Sequence, residues 1–284
     1  MNSNLEVLRG GVAVITGAAS GIGEGLARYA AEIGMKLVIA DINEDRLQAV
    51  AEDIRSKGSE VLVVPTDVSD ATAIDRLADA TFEHYGEVRL LMNNAGIETL
   101  GFVWELPADV WDKTLNINIH GAVHGVRAFA PRMLESGKPG FIANTASIGG
   151  LGTMPVQTPY IMSKHALIAF SECLAMEMQV KQAPIQVSAV LPGPVATRIF
   201  AESNGNPDPV STYHREVMRS MLEEQGMTGY EAAQQILPQI AAGEFWVSTH
   251  PDITRGYAAN RADQLANLRQ PVLADELKTM LGIE

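Results

Sequence analysis

A tyrosine and a lysine stand four apart in Tyr160-Ile161-Met162-Ser163-Lys164, and Ser147 lies thirteen positions upstream of the tyrosine. Residues four apart on a helix share one face and stack one turn over the other. A phenol ionises near ~10 in water, too high for a base at neutral pH. An ammonium group held close by favours the phenolate and lowers that value, toward the range in which proton transfer works best. Ser147 is then free to donate a hydrogen bond to the same substrate oxygen. Tyrosine and lysine also meet at this spacing on many solvated helices, so the motif gains weight from what surrounds it.

Val12-Ala13-Val14-Ile15-Thr16 is a short apolar run bounded by glycine, the pattern of a buried strand. It runs into Gly17-Ala18-Ala19-Ser20-Gly21-Ile22-Gly23 and then into helical spacing through Leu26, Ala27, Ala30 and Ile33. Strand, glycine turn and helix together make a phosphate site, because glycine lets backbone approach the ligand and the helix start presents free N–H groups. The spacing is Gly-x-x-x-Gly-x-Gly rather than the general Gly-x-Gly-x-x-Gly of dinucleotide sites. Lys36 to Ala40 is the next strand and ends on Asp41, placed to accept hydrogen bonds from both adenosine ribose hydroxyls. Ser20 and Ile42 are uncharged where a basic residue would welcome a 2′-phosphate, so NAD is expected over NADP. Val61 to Val64 is a third strand, and Asp67 beyond it faces the adenine. Arg89 to Met92 is a fourth, leading into Asn93-Asn94-Ala95-Gly96, a turn of small residues for a flat cofactor to lie against.

A long helix is expected from about Ala108 to Ser136, carrying Asn118 and Gly121 where neither favours a helix. Asn118 there can open the backbone ladder and hold a water. His120 and His124 have a metal-ligand spacing but no third ligand nearby, so no metal is expected. Strand five is Phe141 to Thr145, the Tyr160 helix runs to about Lys181, and strand six is Ile185 to Val190. Pro192-Gly193-Pro194-Val195-Ala196-Thr197 is an extended loop fixed by its prolines. Strands and helices alternate every ~25 residues, which predicts a three-layer, doubly wound parallel sheet in one domain, residues 1–284.

The chain of 284 residues has 19 % charged and 46 % hydrophobic residues and a net charge of −13. That charge argues against nucleic acid and anionic membranes. No apolar run approaches the roughly 18 residues that span a bilayer, and Met1 to Gly10 has no signal-peptide core. A cytoplasmic protein is expected. The single cysteine, Cys173, excludes an internal disulfide and any cysteine-based zinc site; it is expected as a buried structural thiol.

Thr16-Gly17-x-x-x-Gly21-Ile22-Gly23, Asp41, Asp67, Asn93-Asn94-Ala95-Gly96, Asn118, Ser147, Tyr160-x-x-x-Lys164 and Pro192-Gly193-x-Val195-x-Thr197 follow one another in this order. Together they resemble the short-chain dehydrogenase/reductase family, single-domain Rossmann enzymes that use NAD(P), over roughly residues 8–200. The resemblance implies that Tyr160 exchanges a proton with the substrate oxygen and that Lys164 lowers its pKa and holds the nicotinamide ribose. Ser147 would polarise the substrate oxygen, and Asn118 would anchor a water relaying protons to Lys164. Cofactor contacts would come from Gly17, Ser20, Gly21, Ile22, Gly23, Asp41, Ile42, Asp67, Val68, Asn94, Ala95, Gly96, Tyr160, Lys164, Pro192, Gly193, Val195 and Thr197. The implied activity is NAD-dependent interconversion of a secondary alcohol and a ketone. Alternatives are an NADP-dependent carbonyl reductase, a non-catalytic NAD-binding member, or one of the longer sugar-nucleotide epimerases and dehydratases.

The sequence departs from the family at its end. Glu244-Phe245-Trp246-Val247-Ser248 reads as strand seven but leads to Thr249-His250-Pro251-Asp252 and a tail of about residues 252–284, expected to fold as one or two helices broken at Pro271. Residues 198–226 are expected to cover the pocket, with a helix starting at Asp208-Pro209 and a capping box at Thr228-Gly229-Tyr230-Glu231. Glu202 to Asn206 reads as a flexible hinge. Ile97, Ile148, Met154, Val156 and Gln157 are expected on the opposite wall, giving an apolar pocket for a bulky or aromatic alcohol. Leu167, Phe170, Leu174 and Met178 form a stripe that suggests a homodimer or homotetramer.

Overall fold

Val12–Thr16 is apolar but for Thr16 at its end, and all five positions are buried. Such a strand is stable with neighbours on both edges and helices on both faces. In the computed structural model, which describes residues 3–283, it is the centre of the sheet. The strands in chain order are β1 (Val12–Thr16), β2 (Lys36–Asp41), β3 (Val61–Pro65), β4 (Leu90–Asn93), β5 (Thr99–Leu100), β6 (Gly140–Thr145), β7 (Ile185–Leu191), β8 (Val195–Ala196), β9 (Asn204–Gly205), β10 (Met227–Thr228) and β11 (Trp246–Ser248). The helices are α1 (Gly21–Glu32), α2 (Glu44–Ser56), α3 (Ala71–Tyr85), α4 (Ala108–Leu115), α5 (Gly121–Ser136), α6 (Thr158–Val180), α7 (Pro209–Gln225), α8 (Gly229–Ala241), α9 (Pro251–Ala266) and α10 (Asp275–Leu281).

Seven strands form one parallel sheet in the order β11-β7-β6-β4-β1-β2-β3. The order reverses between β1 and β4, and ligands of open parallel sheets collect at the carboxyl ends flanking such a point. The register aligns those ends: Thr16 pairs with Ala40, Asp41 with Pro65, Asn93 with Asn144 and Thr145 with Val190. One apolar layer, with Leu26, Leu47, Ile236 and Ile240, joins α1, α2 and α8 to one face of the sheet. The other, with Leu77, Phe129, Leu174 and Met178, joins α3, α5 and α6 to the opposite face. The three-layer doubly wound fold is therefore as the sequence predicts.

The long helix over 108–136 is interrupted. A π turn, Asn116–His120, separates α4 from α5, at the locally unfavourable Asn-Ile-His-Gly run. One other expectation is overturned. Cys173 is exposed, because the buried phase of α6 runs through Leu167, Ser171, Leu174 and Met178 and places Cys173 on the outer side. Leu167, Leu174 and Met178 are themselves buried, so of the stripe only Phe170 stays partly exposed. The outer face of α6 instead exposes Met162, Met176 and Val180.

The cover follows its local signals. Asp208 caps α7 by accepting from Val210 N and Ser211 N at 2.9 and 3.1 Å. Thr228 and Glu231 form the complete capping box of α8. The 202–206 run is tied down rather than free: β9 pairs with β5, Asn206 N donates to Leu100 O, and Phe200 is buried with Leu100 and Leu222. The tail forms α9 and α10 with Pro271 between them. Leu281 of α10 is buried, and His214 of α7 bonds Met280 O at 3.0 Å, so the tail's end packs on the cover.

Candidate active site

The glycine turn between β1 and α1 is built by steric necessity. Gly17 and Gly21 have φ of +67° and +56°, a region that side chains rarely adopt. A Cβ on Gly23 would lie 2.0 Å from Gly17 O, so any larger residue would force the turn apart. Ser20 is the N-cap of α1, and its side chain makes no capping bond. The first N–H groups of a 12-residue helix thus face the crevice, a ready anion site. Ile22 packs against the core. Thr197 borders the same turn, its Cγ2 lying 3.0 Å from where a Gly21 Cβ would be.

Asp41 ends β2 beside this turn. Its Oδ2 accepts from Ala19 N at 3.1 Å and its Oδ1 from Asn43 N at 2.9 Å, which fixes the carboxylate over the glycine loop. Ile42 is exposed beside it. Asp67 Oδ1 accepts from Ser69 N and Ser69 Oγ at 2.9 and 2.7 Å, and Val68 is buried against Gly121. Asn94 links two strand ends: its Nδ2 donates to Thr16 O, and Thr16 Oγ1 accepts from Asn94 N and Ala95 N. Gly96 is exposed, and a Cβ there would lie 3.4 Å from Lys164 Nζ. The small-residue turn therefore brings the dinucleotide cradle up to the Tyr160 helix. A nicotinamide dinucleotide fits these groups: a free helix start, a fixed carboxylate and a bare backbone floor.

Pro159 starts α6, and Tyr160 and Lys164 lie one turn apart on it. Ser147, two residues past β6, accepts from Gly149 N at 3.0 Å, and a Cβ on Gly149 would lie 3.4 Å from Ser147 Oγ and 3.6 Å from Tyr160 Cε1, which brings the hydroxyl beside the phenol ring. Lys164 is buried; its Nζ donates to Thr145 O at 2.8 Å and lies 5.3 Å from the Tyr160 ring centroid. Asn118 is also buried, with both ends of its amide in use. Oδ1 accepts from Ile97 N, and Nδ2 donates to Ile97 O and to Ser163 Oγ at 2.9 and 3.0 Å. It therefore pins the strand-end loop to the first turn of α6. A small cavity beside it is lined by Thr16, Asn93, Asn118 and Leu167 among others.

The electrostatics correct one expectation. Lys164 does not lower Tyr160 in this state. Burial, helped by the charge of Glu98, pushes the phenol above the ordinary tyrosine range, and the neighbouring Ser147 hydroxyl only partly opposes this. The same burial brings Lys164 down to about 8, with Glu98 pulling it the other way. Desolvation disfavours a charge on either group, and it is the largest effect on both.

The Pro192 turn closes the crevice. Pro192 O accepts from Ile148 N at 3.2 Å, and Gly193 N donates to Thr249 Oγ1 at 2.9 Å. A Cβ on Gly193 would meet His250 Nδ1 at 2.6 Å, so the unusual segment after β11 packs directly on this turn. Val195 is buried and pairs with Met227. On the far wall, Val156 and Gln157 are buried as well.

Two site features escaped the sequence reading. Arg46, in the first turn of α2, is a basic residue near Asp41, with its guanidinium held by Glu202 of the cover at 2.9 Å. Glu98 is buried at 1 % exposure and is bound by Gln157. Its signal was present: Glu98 is the lone charge between Arg89 and Glu105.

The short chain dehydrogenase family matches residues 11–208 of the chain. The chain is 33 % identical over 254 residues to the CLA biosynthesis dehydrogenase/reductase of Lactiplantibacillus plantarum, covering 85 % of this chain and 88 % of that one. It is 35 % identical over 192 residues to the 1-deoxy-11-beta-hydroxypentalenate dehydrogenase of Streptomyces avermitilis, covering 67 % and 70 %. A short chain dehydrogenase/reductase from Burkholderia phymatum, solved in complex with NAD, superposes with a TM-score of 0.89 at 34 % identity, covering 93 % of this chain and 97 % of that one. A metagenomic short-chain oxidoreductase in complex with NADP superposes at 0.62 and 32 % identity, covering 66 % and 85 %. With the glycine turn, the carboxylate at the end of β2 and the Ser147–Tyr160–Lys164 group in one crevice, the chain belongs to the short-chain dehydrogenase/reductase family of oxidoreductases.

Proposed function

We propose that this oxidoreductase interconverts a secondary alcohol and a ketone with NAD. The observation that carries the reading is the meeting of Ser147, Tyr160 and Lys164 at the carboxyl edge of β6, against the small-residue turn that follows β4. A bound nicotinamide would supply the acceptor or donor of the hydride. Ser147 orients the substrate oxygen, Tyr160 takes or returns its proton, and Lys164 holds the ribose and stabilises the phenolate. Asn118 keeps the loop and helix that carry these groups in register.

The phenol of the free protein is too basic for this task, so the base is formed within the loaded site, where added positive charge favours the phenolate. Asp41 favours NAD, since a 2′-phosphate would meet its fixed carboxylate. Arg46 is the observation that favours NADP, but its guanidinium is engaged by Glu202, a carboxylate it shares with Arg198. The cover's Ile199, Met218 and Met221 pack into its own small core with Phe200, which supports an apolar wall and a bulky or apolar alcohol. Homodimers or homotetramers would form through outer helix faces such as that of Met162, Met176 and Val180 on α6.

The test is a panel of secondary alcohols with NAD and with NADP, read as absorbance of the reduced nicotinamide. Turnover with NAD that disappears in Tyr160→Phe, while NAD still binds, is the expected result. Substantial turnover in Tyr160→Phe would place the base elsewhere.

A further inference from the structure

Glu98 is a buried acid that the proposed reaction does not use. It directly follows the turn of small residues, at 1 % exposure, and acids are almost never buried so fully without partners. Its Oε1 accepts from Thr99 N and its Oε2 from Gln157 Nε2, each at 2.9 Å. Two N–H donors on two carboxylate oxygens favour the ionised form. Gln157 is aimed by an unusual backbone: Val156 has φ of +58°, a rare conformation for a β-branched residue. Val156 is held there by burial and by Gly101 N, which donates to its carbonyl at 2.8 Å. Glu98 O accepts from Asn204 N of the cover at 3.0 Å, so the cover is tied to the same residue.

The charges that reach Glu98 come from one helix. Gly96, two residues before Glu98, would place a Cβ 3.4 Å from Lys164 Nζ, and Gln157, which binds Glu98, is the N-cap of the helix that carries Tyr160 and Lys164; both groups act on Glu98 electrostatically. From α4, Thr114 Oγ1 bonds Thr99 Oγ1 without charge, and Lys113 bonds Asn204 Oδ1 at the exposed surface.

We propose that Glu98, clamped by Gln157, is a positioning residue of this site: the charge that its hydrogen-bond donors stabilise on the buried carboxyl group helps to hold Lys164 as the ammonium and sets the pH at which Tyr160 exchanges its proton. The inference rests on the reading of Tyr160 as the base. Burial works against the carboxylate and pushes Glu98 well above the usual glutamate range, while Thr99 N, Lys164 and Gln157 pull it back, so its charge depends on these partners. The three groups act on one another, so they titrate as a coupled set. The direction is fixed: a negative charge makes both the phenol and the ammonium harder to deprotonate, and removing it moves both toward acid.

The test is the pH profile of kcat for alcohol oxidation in Glu98→Gln, Glu98→Asp and Gln157→Met. Glu98→Gln keeps the shape and removes the charge, and the rising limb is expected to move toward acid by about one pH unit, the order set by a unit charge several ångström away at an effective dielectric of about 20. Glu98→Asp restores the wild-type profile even where kcat is lower. Gln157→Met takes a donor from the carboxylate, moves the limb the same way, and adds nothing to Glu98→Gln when the two are combined. Should Glu98→Gln not fold, Gln157→Met alone carries the test. A Glu98→Gln or Gln157→Met profile that superimposes on wild type overturns the inference. If the unaltered protein oxidises no alcohol, it is the reading of the reaction that fails. Ultraviolet titration of tyrosinate, corrected with Tyr160→Phe, then reads the same acid shift directly, and an unmoved Tyr160 overturns the role of Glu98.

Discussion

Lys164 is expected to destabilise the fold that needs it. Burial lowers its ammonium from the ordinary 10.5 to about 8. At about 1.36 kcal/mol per pH unit, holding that charge in the folded state costs about 3 kcal/mol near neutral pH. In a Glu98→Gln background, where no buried carboxylate loses its counter-charge, Lys164→Met removes the charge, fits a flexible side chain of similar length into the same space, and gives up the hydrogen bond to Thr145 O, worth ~1–2 kcal/mol. The net gain is about 1–2 kcal/mol, or roughly 3–6 °C in melting temperature for a chain of this size.

The pH dependence identifies the cause. Below the folded value of about 8 the lysine is protonated in both states, so the whole penalty is present. Between that value and the unfolded one the unfolded chain binds more protons, and the penalty fades with rising pH. It should fall from about 3 kcal/mol near pH ~7 to about 1 near pH ~9.5. Thermal melts of cofactor-free Glu98→Gln and of Glu98→Gln with Lys164→Met at those two pH values read the difference directly. Melting of the double variant below its parent at neutral pH, or a gap that does not narrow at high pH, refutes the reasoning. Turnover should be lost in the variant at either pH, so stability and activity part company at one residue.

Asp41→Ala removes the carboxylate proposed to bind the ribose, and calorimetry should show NAD binding weakened ~10–100-fold, the loss of one or two charge-assisted hydrogen bonds. NADP should change less, and adding Glu202→Gln, which frees Arg46, should narrow the ratio further; equal affinities in the unaltered protein would sink this reading. Gly23→Ala puts a Cβ 2.0 Å from Gly17 O, so cofactor binding should disappear and the melting point should fall by the equivalent of ~1–3 kcal/mol. Leu281→Ala empties the buried contact of α10, at a cost of about 2–4 kcal/mol. Amide exchange should quicken in α7 and α10 but not in β1 or β4, and unchanged exchange would mean the tail's end is a passenger.

The features legible in the sequence are those whose partners lie close along the chain. The capping box of Thr228 and Glu231 spans three residues, and the cap of Asp208 reaches two and three ahead. β1 announces itself because both its faces are buried, and the glycine turn because Gly23 has no room for a side chain. The phase of α6 was harder to read. With apolar residues on every side of the helix, nothing in the composition says that Leu174 faces the sheet and Cys173 the solvent. That ambiguity explains why the thiol is expected inside and is found exposed, and why three of the four stripe residues are buried while Phe170 is only partly so.

Electrostatic pairing was the least legible, because it depends on residues distant in sequence and on water that a sequence does not display. Arg46 meets Glu202 across 156 positions, and Gln157 meets Glu98 across 59. Tyr160 and Lys164 were placed correctly on one face of a helix, but proximity along that helix was taken to mean that the ammonium lowers the phenol. In the cofactor-free structure desolvation instead raises the phenol and lowers the ammonium, and a buried acid sides with the proton on each. A motif five residues long thus points to the groups that exchange the proton. The pH at which they do so is decided by Glu98 and Gln157, which that motif does not contain.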